Sequence, residues 1–95
     1  MKTFAITYDL KQPGRNYTGL YDAIKNLVEN GNWQHPLETL WVISFMDDSV
    51  NKANVIYEKL RGEIDDNDSV FIVEITGQDR QGWLPKSFWD WMKDK

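Results

Sequence analysis

The stretch GNWQHPLETLWVISF, residues 31 to 45, decides the fold. It is too long and too interrupted for one strand in mid-sheet, because Pro36 has no N–H to give a ladder. Its length suits two short strands and a tight connection. The spacing predicts an edge strand over 32–35, a turn over 36–38 and a strand over 39–45. From Leu40 to Ile43 both faces are apolar, the mark of a strand covered on two sides.

Working outward, TFAITYD at 3–9 alternates Phe4, Ile6 and Tyr8 with Thr3, Ala5, Thr7 and Asp9. The second face stays small and uncharged until Asp9, so this too reads as a central strand. A loop, KQPGRN, leads to a helix from about residue 17. Leu20, Ala23, Ile24, Leu27 and Val28 share one of its faces, and Gly31 fits its stop. Beyond the pair of strands, Asp47, Asp48 and Ser49 mark another helix start. Its buried stripe is Val50, Ala53, Ile56, Tyr57, Leu60 and Ile64. A polar turn at 65–68 precedes SVFIVEIT, a strand over 69–76. Gly77 to Gly82 reads as loop. Pro85 opens a short helix that places Leu84, Phe88, Trp91 and Met92 together.

The element order is therefore β-α-β-β-α-β with a short helix behind it, the split ferredoxin-like α+β pattern. It predicts a four-stranded antiparallel sheet with two helices on one face. A single domain spans 1–95, with a core over 1–76 and a C-terminal loop and helix over 77–95. The pattern does not say which side of the central strands faces the helices. Either choice leaves apolar residues on the other face, and a homodimer would cover them.

Composition bounds the function. At 41% hydrophobic and 27% charged, the 95-residue chain is that of a folded domain. No cysteine is present, which excludes disulfides, thiolate metal sites and cysteine nucleophiles. The longest apolar run is too short for a bilayer. MKTFAITYDL goes straight into a strand pattern with no signal-peptide core, so a cytoplasmic location without membrane attachment is expected. A net charge of −4, with basic residues scattered, argues against tight nonspecific binding to a phosphate backbone.

A strand ending in Tyr8-Asp9, then a helix, a split strand and this frame resembles the superfamily of CRISPR-associated protein 2 and the virulence-associated protein D toxins. The likeness covers roughly residues 1–76. It implies a ferredoxin-like homodimer with metal-dependent endoribonuclease activity, and RNA or DNA as a binding partner. By position it implies Asp9 as the catalytic ligand for Mg2+ or Mn2+, paired with its symmetry mate. The adaptation subunit commonly has another strand after the fourth and carries more arginines. Here WLPKSFWDWMK reads as helix, so the chain is more similar to an uncharacterised relative outside CRISPR arrays.

Each candidate residue has a plainer role beside the chemical one. Asp9 could equally accept loop N–H bonds where the strand stops. Lys11 and Arg15 would contact phosphates beside it, or form a solvated loop. His35, the lone histidine, is a general base or a structural residue. The run EIDDNDS lacks the glycine and distal glutamate of a calcium loop. Neither Ser44 nor Ser49 has a base and orienter for a triad, and no GxxxxGK[ST] loop exists. Trp83, Trp89 and Trp91 either stack nucleobases or pack the last helix. Two functions follow: a dimeric metal-dependent ribonuclease, or a non-catalytic dimer that binds a protein or nucleic-acid partner.

Overall fold

In a computed structural model, residues 1–11, 17–46 and 51–95 are described. The elements are β1 (Lys2–Asp9), α1 (Thr18–Lys25), β2 (Trp33–Leu37), β3 (Leu40–Phe45), α2 (Ala53–Leu60), β4 (Ser69–Glu74) and α3 (Lys86–Met92). A 3-10 turn, Arg61–Glu63, extends α2. The four strands form one antiparallel sheet in the order β2-β3-β1-β4.

Register fixes the two faces. Phe4 pairs with Ile43 and Ile6 with Trp41, so even residues of β1 share a side with odd residues of β3. That side packs on the helices: Phe4, Ile6, Tyr8, Trp41, Ile43 and Phe45 cluster with Leu20 and Ile24 of α1 and Ile56 and Leu60 of α2. Each of the four helix residues is at most 1% exposed. Burial of an aliphatic chain of this kind is worth about 1.5–3 kcal/mol. The opposite side carries Val42, on which Phe88 and Met92 of α3 pack, with Leu40, Ile75 and Trp91 around them. Part of the face expected to be open is thus covered by the chain's own third helix. Arg80 holds α3 in place, donating to the carbonyls of Ile75 and Met92 at 3.2 Å each.

Several boundaries differ from the pattern. β2 runs to Leu37 with Pro36 inside it, where a turn was expected. A register shift between Gln34 and Leu37 accommodates the missing N–H, and β2 lies at the sheet's edge. Helix α1 ends at Lys25, although Leu27 and Val28 still pack on the core from the following turns. Asn30 and Gly31, at φ 56° and 69°, reverse the chain there. Tyr57, expected on the buried stripe, is 40% exposed. β4 stops at Glu74, two residues short of the expected end. The helix start at Asp47, Asp48 and Ser49 lies outside the described residues. Among the described residues, no helix is long and apolar enough to cross a membrane.

Candidate functional site

Asp9 is the last residue of β1 and stands opposite Ser69 of β4. Strand alternation puts its side chain on the α3 side of the sheet, beyond the end of that helix's cover. The carboxylate is 62% exposed and is engaged by the Lys11 ammonium. Two residues apart in an extended segment, these side chains share a side, so the pairing is local. A shallow hollow of about 220 Å³ lies beside them, lined by Thr7, Asp9, Ser69 and Phe71 among others.

What secures this corner is Asp68, expected only as one residue of the polar turn at 65–68. Its Oδ1 accepts the Lys11 N–H at 3.0 Å and its Oδ2 accepts the Asp65 N–H at 2.9 Å. One carboxylate therefore ties the loop leaving β1 to the turn entering β4. The only sequence signal was the general habit of aspartate in turns to accept backbone N–H bonds. Lys11, the expected neighbour of Asp9, lies beside it with its ammonium on the carboxylate. Arg15 lies outside the described residues. Among the described residues, no three His, Asp or Glu side chains gather as metal ligands. A metal held by Asp9 would need its other ligands from water or a second chain.

His35 sits elsewhere, on β2, within an aromatic cluster. Its ring stacks on Trp41 with centroids 4.0 Å apart at 14°, and meets Tyr21 edge-on at 5.0 Å. Its Nε2 is 3.0 Å from the Glu38 carbonyl, which can only accept, so that nitrogen carries the proton. The same carbonyl accepts the Tyr8 hydroxyl at 2.8 Å, and that hydroxyl accepts the buried Trp41 Nε1–H at 3.2 Å. Burial, with the neighbouring Tyr21 adding to it, pushes the Tyr8 phenol well above the ordinary tyrosine range. These groups satisfy one another, and the arrangement holds the β2–β3 turn.

The tryptophans divide. Trp89 and Trp91 pack around α3, and the Lys95 ammonium lies 4.4 Å from the Trp91 ring centre. Trp83 is 100% exposed. Beyond α3, the open part of the sheet carries Phe71 and Val73 of β4, 63% and 38% exposed. Compared with protein-family models, curated proteins and solved structures, the chain matches none.

Proposed function

We propose that this chain is a ferredoxin-like, non-catalytic dimeric binding module, and that its working surface is the β4 side of the sheet. The observation that carries this reading is the exposed apolar strip of Phe71 and Val73, left open beside the part of that face that α3 covers. An exposed ring beside strand backbone that no other strand pairs among the described residues fits a protein surface better than a nucleic acid. The net charge of −4 favours the same choice.

A second reading keeps the likeness to CRISPR-associated protein 2 and the toxins. It is a homodimeric, Mg2+- or Mn2+-dependent endoribonuclease in which Asp9 is the metal ligand and Lys11 and Arg15 hold RNA or DNA. Asp9 favours it, being exposed at the end of a central strand with a cation next to it. There the metal would activate water and offset phosphate charge. One comparison separates the two. Wild type and Asp9→Ala are incubated with single-stranded and structured RNA, with and without Mg2+ or Mn2+. The binding-module reading expects no metal-dependent cleavage that Asp9→Ala abolishes. Cleavage lost in the variant alone would refute it in favour of the enzyme.

A further inference from the structure

The turn between α1 and β2 holds the chain's only Asn-Gly pair, Asn30-Gly31. Both residues take positive φ, 56° and 69°, and the Asn32 N–H donates to the Glu29 carbonyl across them at 3.1 Å. Two left-handed residues closed by such a bond make a tight turn of the mirror-image kind, for which Asn-Gly is the favoured pair. Both residues are exposed. Nothing lies within 4 Å of the place where a Gly31 side chain would begin. Among the described residues, the Gly31 N–H donates no hydrogen bond.

From this we infer that Asn30-Gly31 is a site of self-modification, at which the Gly31 nitrogen closes on the Asn30 side-chain amide and converts it to isoaspartate. The Gly31 nitrogen gives up its proton to solvent base and bonds to the Asn30 Cγ. The bond from Cγ to the side-chain nitrogen breaks, ammonia leaves, and a five-membered succinimide remains. Water then opens the ring. Addition at Cγ gives aspartate, and addition at the main-chain carbonyl gives isoaspartate, in which the chain runs on through Cβ and Cγ. No co-reactant beyond water is needed, and the inference does not depend on the proposed dimer.

Ring closure requires the Asn30 backbone to rotate out of its left-handed state. That rotation gives up the Glu29–Asn32 bond and moves only exposed groups, so a local opening of the turn is enough. Glycine after the asparagine leaves the attacking nitrogen uncrowded. Each of the six other asparagines precedes a residue with a side chain, from Tyr17 after Asn16 to Asp68 after Asn67.

The product matters because this turn sets the start of β2. The Trp33 N–H donates to the Gly31 carbonyl at 2.7 Å, and the Ser44 N–H to the Asn32 carbonyl at 2.9 Å. Trp33 then lays its ring against Trp41, with centroids 5.1 Å apart. Isoaspartate adds a methylene to the main chain, which the two-residue turn cannot absorb. These bonds are displaced, and the edge strand loosens from β3.

Ageing the purified chain at neutral pH and body temperature in heavy-oxygen water, followed by peptide mass spectrometry, tests this. Residue 30 should convert before any other asparagine, mainly to isoaspartate, and each event adds one negative charge to the net −4, read by ion exchange. Mildly acidic buffer should slow it, since the nitrogen must lose a proton. The folded chain should convert within about tenfold of the urea-unfolded rate, as a turn that opens at little cost allows. Asn30→Gly, which suits the positive φ, should fold normally and show no conversion. The isolated isoaspartyl form should exchange its β2 amides faster than wild type while β1 and β4 keep their protection. Aged protein with Asn30 intact, or converted only in urea, overturns the site. An isoaspartyl form with wild-type exchange over β2 overturns the loosening of the edge strand.

Discussion

Replacing Tyr8 by phenylalanine removes one oxygen from the middle of a buried relay. Tyr8 is 4% exposed and Trp41 1%. Without the hydroxyl, the Trp41 Nε1–H loses its acceptor, and the Glu38 carbonyl loses one of its two donors while keeping His35. The orphaned indole N–H is the larger effect, because water cannot replace the lost partner at that depth. A cost of about 2 kcal/mol is expected for an unsatisfied buried donor. In a domain of this size each kcal/mol moves Tm by about 4–8 °C. Tyr8→Phe should therefore melt about 8–16 °C below wild type in a circular-dichroism scan. Tyr57→Phe, at an exposed ring, is the control and should move Tm by less than about 4 °C, the effect of a surface change within about 0.5 kcal/mol. Equal melting of the two variants would refute the argument that the relay stabilises the fold.

Three further outcomes rest on individual hydrogen bonds of the fold. Because the folded Tyr8 phenol titrates above its unfolded value, the unfolded state releases that proton first as pH rises. Stability should be complete below about pH 10 and fall above it, and Tyr8→Phe should flatten the fall, read from Tm against pH. Thr76→Ala strips the hydroxyl that accepts the Thr3 N–H at 2.8 Å, on a residue with no exposure. A loss of about 1–2 kcal/mol in urea unfolding is expected, with Thr76→Ser close to wild type. Arg80→Ala cuts the two bonds that hold α3 to the end of β4. Amide exchange should quicken over residues 86–92 while β1 and β3 keep their protection.

The order of elements was legible because strand and helix periods are strong where one face is buried. Phe4, Ile6 and Tyr8 alternate cleanly, and Leu20 and Ile24 lie one turn apart. Which face meets the helices was not legible. β3 is apolar on both sides, and the choice between Val42 and Ile43 depends on α3, a helix distant in sequence. Pro36 was read as a turn because a proline usually ends a strand, but an edge position with a register shift tolerates it. Asp9 was placed correctly at the strand end. Asp68 was missed, because its two acceptor bonds join segments 57 and 3 residues away, and only the nearer lies within reach of local pattern. Trp83 illustrates the converse: an apolar residue in an aromatic run, left fully exposed.

The position of β1 between β3 and β4 also has a consequence for synthesis. Asp9 waits for Ser69, 60 residues later in the chain, before its outer neighbour exists. At ordinary elongation rates that wait lasts about 3–12 s. The β2–β3 hairpin closes locally in microseconds, so β1 can join it while its other side stays bare. A nascent chain thus presents an apolar strand with an open flank for seconds, a natural client for a ribosome-associated chaperone. β4 both ends that exposure and forms the sheet's new border, so the association proposed above would wait until the sheet is complete.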